Sequence, residues 1–111
     1  MGNLEVIKRF LLGEKGATAK RKILQGYYYT DGRTLQTDGQ QLINYNTVIA
    51  KRNGENEIEI DANYYSNTTS KIQTSIIREI NKLRKNGYDI IVVLNGEQKR
   101  VDWLSNYLET N

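Results

Sequence analysis

No cysteine, no histidine and no proline occurs among the 111 residues of this chain. Without cysteine the chain forms no disulfide, and it offers neither a thiolate nucleophile nor sulfur ligands for zinc or an iron–sulfur cluster. Histidine is the commonest general base and transition-metal ligand, so its absence removes the central residue of most hydrolase and metalloenzyme schemes. We therefore predict a protein that is not an enzyme and that has no catalytic residue, no metal and no cofactor.

Long hydrophobic runs are missing as well. The apolar stretch at residues 6–12 is short and is interrupted by Lys8 and Arg9, unlike a signal peptide or a membrane-spanning helix. The carboxylates show no spacing typical of a metal or nucleotide loop, and Asp31 and Asp38 each precede glycine, as turn residues do. Since a cysteine-free chain suits a reducing compartment, we predict a cytoplasmic protein without membrane contact.

The composition is that of an ordinary globular protein, with 38% hydrophobic and 26% charged residues. The length lies near the commonest size of one domain, and no repeat or low-complexity linker divides the chain. We therefore predict a single domain over residues 1–111. The sequence leaves open whether the protein is a monomer or a homodimer.

Apolar periodicity predicts the elements of the fold. Helical spacing of apolar residues near the N-terminus predicts a short helix that stops at Gly13, and turn dipeptides then separate strand-like runs. Residues 44–52 read as one strand, and Asn53-Gly54 predicts a two-residue type I′ hairpin. The apolar residues of the first helix are Leu4, Ile7, Phe10 and Leu11.

A long helix follows, because the apolar period changes from two to 3.6 residues between residues 72 and 83. Ser70 and Gln73 are expected to cap its start, and Asn86-Gly87 its end. A buried strand at residues 90–94 and a final short helix complete the chain. The predicted fold class is α+β: a small antiparallel sheet, built as a meander with a hairpin, packed against one long helix with short N- and C-terminal helices.

Three groups of residues are candidates for contact with a partner. Hydroxyl residues and a lysine gather at the start of the long helix, where free backbone amides favour anions, although capping alone explains such residues in many helices. Basic residues share one face of the same helix, although a lysine-rich face is often only solvated and the net charge is just +3. Tyrosines, three of them consecutive at residues 27–29, suit a recognition surface as well as a strand. The predicted partner-binding residues are Tyr28, Arg52, Tyr65, Ser66, Thr68, Thr69, Lys71, Arg78 and Lys82.

Parts of the chain resemble small proteins of phages and other mobile elements, most of which have no assigned activity. The resemblance lies in the strand at residues 44–50, the Asn53-Gly54 hairpin and the helix start at residues 65–71, with a weaker likeness at residues 10–15. It covers roughly residues 33–77 and does not include the C-terminal part from Tyr88 onward. The resemblance implies an origin in a phage or mobile element and action in the cytoplasm of a bacterial host cell.

Short, non-catalytic phage proteins without cysteine include inhibitors of host defence, notably anti-CRISPR proteins that bind an RNA-guided DNA nuclease and block its loading with DNA. The resemblance therefore implies a protein partner, a host defence nuclease with or without its guide RNA. The alternative is an accessory phage protein that binds nucleic acid, which a basic protein with a pI of about 9.1 permits. A steep loss of affinity with salt would distinguish the alternative, because polyanion binding releases counterions.

Overall fold

The computed structural model describes residues 1–25 and 27–109, and for residues 23, 25 and 28–31 it describes only the backbone. Three helices and eight strands occur in this part of the chain. In chain order they are α1 (Asn3–Leu11), β1 (Gly16–Ala17), β2 (Arg21–Gln25), β3 (Tyr28–Gly32), β4 (Leu35–Thr37), β5 (Gln41–Asn44), β6 (Thr47–Arg52), β7 (Glu57–Asp61), α2 (Asn67–Lys85), β8 (Ile91–Asn95) and α3 (Gln98–Ser105).

Six strands form the main sheet in the order β1-β4-β5-β6-β7-β8, and β2 and β3 form a separate two-stranded ribbon. The prediction of an α+β fold is confirmed. The prediction that the sheet is antiparallel needs correction, because β8 pairs parallel to β7 while the other neighbours are antiparallel. Helix α2 connects β7 to β8, and such a helical crossover allows the second strand to run in the same direction as the first.

The core lies between one face of the main sheet and the three helices. Helix α2 buries Ile72, Ile76, Ile77 and Ile80 against sheet residues such as Ile60. Alternation along the strands sends other side chains to the opposite face, which no described helix covers. We call this the open face of the sheet.

The short N-terminal helix forms as predicted and buries Val6, Ile7, Phe10 and Leu11. Leu4, however, was expected in its apolar stripe and is 47% exposed. The helix begins at Asn3, so Leu4 lies in its first turn, beyond the apolar face that meets the sheet. The buried stripe therefore starts at Val6.

One predicted strand and one predicted turn differ from the structure. Residues 45 and 46 form a tight turn between β5 and β6, with Tyr45 at a φ of 55°, so residues 44–52 are not one strand but the last residue of β5, the turn and the whole of β6. The hairpin at Asn53-Gly54 exists, but β6 and β7 are joined by four residues, 53–56, and Gly54 is not among the glycines with positive φ. A four-residue loop does not need the left-handed conformation that a type I′ turn requires.

The start of α2 also lies earlier than the sequence indicated. Ser66 is the N-cap residue and its Oγ accepts a hydrogen bond from the Thr69 amide at 3.1 Å, so Ser70 lies inside the helix and does not cap it. The predicted end is confirmed: Asn86 is the C-cap, and Gly87 has a φ of 96°. That conformation suits glycine at a helix end.

Candidate interaction surface on helix α2

Helix α2 carries a row of cations on its exposed side. Lys71, Arg78 and Lys82 follow one another at spacings of seven and four residues and are all exposed. At 1.5 Å per residue the row is roughly 16 Å long. The helix has five basic residues and one acidic residue, so its formal charge exceeds the +3 of the whole chain. We call the row Lys71, Arg78 and Lys82 the ridge.

The ridge cations differ in how far the protein itself neutralises them. Lys71 and Arg78 form no ion pair and no side-chain hydrogen bond with any described residue. The Lys82 Nζ lies 3.1 Å from Oε1 of Glu79, whose side chain is only 8% exposed. Lys71 and Arg78 are therefore the more available charges for a partner.

Two grooves border the ridge. The first lies between α1 and α2 and is lined by Leu4, Ser75 and the ridge itself. The second lies between α2 and α3 and is lined by Trp103 and Tyr107. The rings of these two aromatic residues meet edge to face with centroids 5.1 Å apart, and each side chain is more than one third exposed. The ridge thus combines charge with partly apolar walls, an arrangement that suits a macromolecular contact.

The hydroxyl residues at the start of α2 have separate roles. Ser66 caps the helix, and the Thr69 Oγ1 donates a hydrogen bond to Oδ1 of the buried Asn44 at 2.7 Å. Thr69 is itself buried. Thr68 is exposed and lines the same groove as Lys71. Among the predicted hydroxyls, only Thr68 therefore adjoins the ridge as a solvent-facing group.

Tyr65 is half-exposed, and its hydroxyl donates a hydrogen bond to the Asp61 carboxylate at the end of β7. This hydrogen bond raises the pKa of Tyr65 above its ordinary value, and partial burial acts in the same direction. The contact ties the residue before the α2 cap to the sheet. Tyr65 does not line either groove beside the ridge.

Arg52 has its guanidinium engaged within the protein. It donates to the carbonyl oxygens of Phe10 at 2.8 Å and Leu11 at 3.1 Å, and it also reaches those of Gly39 and Glu55. Since the last carbonyls of a helix have no partner within that helix, Arg52 completes the C-terminus of α1. Tyr28 belongs to β3, but its side chain is outside the described residues. The structure therefore brings together Thr68, Lys71, Arg78 and Lys82 of the predicted set.

The predicted site residues did not include a row of carboxylates on the open face, although the sequence predicted a buried and a wet face for this strand. Glu57, Glu59 and Asp61 alternate with buried isoleucines along β7, so they point to the same side of the sheet. Lys51 of β6 lies 3.6 Å from Glu59 and offsets part of this charge. The alternating sequence at residues 57–61 contained the signal, because a strand with one buried face presents its charged residues together on the other. We call Glu57, Glu59 and Asp61 the acidic row.

A second missed group surrounds Arg100 of α3. Its Nη2 donates to Gln73 Oε1 at 2.6 Å and to Ser70 Oγ at 3.2 Å. Its guanidinium carbon also lies 4.5 Å from the ring centre of Trp103 and 5.9 Å from that of Tyr64. These contacts bring α3 against the first half of α2 and hold Trp103 beside the ridge.

Within residues 1–25 and 27–109, no three His, Cys, Asp or Glu side chains are arranged to hold a metal ion. None of the helices in this part of the chain is long and apolar enough to cross a membrane. Comparison with protein families, with curated proteins and with solved structures finds no match to this chain.

Proposed function

We propose that this protein is a non-enzymatic protein of a phage or mobile element that binds and inhibits a host defence factor, namely an RNA-guided DNA nuclease. The origin rests on the sequence resemblance described above. The observation that carries the mode of action is the ridge, where two cations without an internal partner stand between grooves that have partly apolar walls. Inhibition would be stoichiometric, by occupation of a surface that the nuclease needs for loading DNA.

The charge distribution supports such a partner. The ridge complements an acidic partner surface such as the phosphates of an exposed guide RNA. The acidic row, on the other side of the sheet, complements the positively charged channel in which nucleases of this kind hold nucleic acid. A nuclease bound to its guide RNA presents the negative phosphates of the RNA and the positive channel of the protein. This supports the nuclease complex, rather than free nucleic acid, as the target.

The test is a DNA-cleavage assay in which the protein is titrated against a purified CRISPR nuclease–guide RNA complex. A stoichiometric inhibitor reduces cleavage linearly and abolishes it near one equivalent. We expect the double variant Lys71→Gln/Arg78→Gln to need at least about tenfold more protein, equivalent to about 1.4 kcal/mol of binding free energy. Neither side chain has a described partner within the fold, so the variant should remain folded.

The matched control is Lys8→Gln/Lys99→Gln, which removes the same charge at exposed positions that line neither groove beside the ridge. If the control and the ridge variant lose inhibition equally, the effect belongs to net charge and the ridge is not the contact surface. Cleavage unchanged by several equivalents of the wild-type protein would rule out inhibition of that nuclease. Retention of only nucleic acid from a lysate, lost as salt rises, would favour the nucleic-acid-binding alternative.

A further inference from the structure

The ribbon of β2 and β3 stands apart from the main sheet. Its five cross-strand pairs run from Arg21 and Gly32 to Gln25 and Tyr28, and neither strand pairs with the six-stranded sheet. The two strands pack mainly against each other. Because an isolated two-stranded ribbon is marginally stable in water, an arm of this kind adds little to the stability of the fold. We call residues 20–32 the arm.

The described side chains of the arm face solvent. Tyr27, the residue before β3, is fully exposed, and Leu24 is 59% exposed. The molecule measures 47 Å along its longest axis and 20 Å along its shortest. Its radius of gyration is 14.0 Å, against about 13 Å for a compact chain of this length. These dimensions agree with an arm that projects from the body.

Positive charge is concentrated where the arm leaves the body. Lys20, Arg21 and Lys22 are consecutive and all exposed. Lys20 and Arg21 line a cleft that also reaches Asn3 at the start of α1 and Thr68 at the start of α2, and none of the residues lining this cleft is acidic. Both helices direct the positive ends of their dipoles toward their first residues, which adds to the positive potential. Lys20 and Arg21 therefore border a cleft without negative charge, while Lys22 is the cross-strand neighbour of Asp31.

We propose that the arm enters the major groove of double-stranded DNA and that Lys20, Arg21 and Lys22 contact the phosphates at the rim of the groove. A two-stranded ribbon fits the major groove of B-form DNA, which is about 12 Å wide and about 8.5 Å deep. Five residues of extended strand span roughly 17 Å, long enough to cross that depth while the root remains at the phosphates. The deep, narrow major groove of an A-form RNA helix does not admit such a ribbon.

The cations of the arm and those of the ridge are different residues, and the cleft at the root of the arm meets the groove beside the ridge at Thr68. The arm belongs to β2 and β3, whereas Lys71 and Arg78 belong to α2. The inference therefore stands independently of the proposed function, and variants can remove one surface and leave the other unchanged.

The experiment measures binding to a short, fluorescein-labelled DNA duplex by anisotropy between about 50 and 200 mM salt. The test variant is Lys20→Gln/Arg21→Gln/Lys22→Gln, and the matched control Lys8→Gln/Lys51→Gln/Lys99→Gln removes the same charge elsewhere. A third variant replaces residues 23–30 by two glycines, which keeps the basic root and removes the ribbon beyond it. Circular dichroism confirms that each variant is folded.

We expect the test variant to have a salt slope shallower by roughly 2.7, since each of three phosphate contacts contributes about 0.9. The salt slope of the control should differ from the wild-type slope by less than about 0.9, the contribution of one phosphate contact. The shortened arm should bind DNA at least tenfold more weakly, and an RNA duplex of the same sequence should bind wild-type protein at least tenfold more weakly than DNA. Equal slopes for test and control, full affinity of the shortened arm, or equal affinity for RNA would each overturn the proposal.

The two proposals fail in different assays. The variant Lys71→Gln/Arg78→Gln should lose nuclease inhibition and keep the arm-dependent difference between DNA and RNA. The shortened arm should lose that difference and keep inhibition. A wild-type protein that binds no DNA duplex contradicts the role of the arm, whatever the outcome of the cleavage assay.

Discussion

The hydroxyl residues at the start of α2 differ in burial, and burial decides whether each one acts on the fold or on a partner. Thr69 is buried and its hydroxyl supplies the hydrogen bond that Oδ1 of Asn44 accepts at 2.7 Å. Replacing Thr69 by valine keeps the shape but leaves that buried oxygen without a donor. We expect a loss of about 1–3 kcal/mol in the free energy of unfolding, measured by urea denaturation.

Thr68→Val is the matched control, because Thr68 is the neighbouring residue in the same helix turn and is exposed. Its free energy of unfolding should change by less than about 0.5 kcal/mol. Equal losses at the two positions would contradict the assignment of Thr69 to the core and of Thr68 to the surface. Inhibition of the nuclease should respond in the opposite order, since only Thr68 adjoins the ridge.

The contact between Tyr65 and Asp61 should make the stability of the fold depend on pH. The hydrogen bond to the Asp61 carboxylate raises the pKa of Tyr65 above its ordinary value, which is about 10. The pKa of Tyr65 is higher in the folded state than in the unfolded state, where it is about 10. The contact therefore stabilises the fold fully below about pH 10, and this stabilisation is lost as the pH rises through the folded-state pKa. The measurement is an NMR titration of the Tyr65 ring carbon bonded to oxygen.

In Asp61→Asn the carboxylate charge is gone, and the pKa of Tyr65 should fall back toward its ordinary value. A pKa of Tyr65 that stays the same in the variant would mean that Asp61 is not the cause of its rise.

At the scale of elements, the β4–β5 turn is fixed by a close approach to the loop after α1. Gly39 has a φ of 95°, and a Cβ at this position would lie 2.5 Å from the carbonyl oxygen of Gly13. Gly39→Ala therefore combines a left-handed backbone with a steric clash, and we expect a loss of roughly 2–4 kcal/mol in the free energy of unfolding. Thermal and urea unfolding measure this loss.

Gly54→Ala is the control for that substitution. Gly54 lies in another loop of the same sheet, its φ is not in the left-handed region, and a Cβ there would meet nothing within 4 Å. The variant should keep its stability or gain about 0.4–1 kcal/mol, because alanine restricts the unfolded chain. A similar loss at both positions would show that the contact between Gly39 and Gly13 is not what constrains the turn.

Local patterns in the sequence predict the elements better than they predict their arrangement. The apolar spacing of residues 72–83 and the alternation of residues 57–61 correspond to α2 and β7. The parallel pairing of β8 can also be predicted from the sequence, since a strand, a helix and a strand in succession favour a crossover connection. Hairpin signals predict antiparallel pairing between consecutive strands, but they carry no information about a strand that follows a helix.

The role of Arg52 could not be predicted from local sequence. Its acceptors on α1 are 41 and 42 residues away along the chain, and they become neighbours only when α1 packs against the main sheet. The same holds for Thr69 and Asn44, which are 25 residues apart. The ridge was partly predictable because helical spacing alone places Arg78 and Lys82 on one face, whereas the wall formed by Trp103 depends on how α3 packs.

At the scale of the whole molecule, charge is separated across the main sheet. The ridge lies on the helical side and the acidic row on the open face, while the net charge of +3 reveals neither. The arm adds a third charged surface, at the root of the β2–β3 ribbon. A partner that contacts only one of these surfaces leaves the charges of the other two without a complementary surface. The proposed nuclease complex would contact the acidic row, whereas free DNA would not.

This difference gives opposite signs for one substitution, Glu57→Gln/Glu59→Gln. The glutamine side chains keep the size of the glutamates and can still accept hydrogen bonds from Asn53, which contacts both positions. The variant removes two negative charges, so DNA, which is repelled by the acidic row, should bind the same or more tightly. The nuclease channel is positive, so inhibition of cleavage should weaken by at least about tenfold.

DNA affinity and inhibition are measured on one protein preparation, by anisotropy and by the cleavage assay. Unchanged inhibition together with tighter DNA binding would mean that the acidic row does not face the nuclease, and the ridge would then be the sole contact left to the inhibitor proposal.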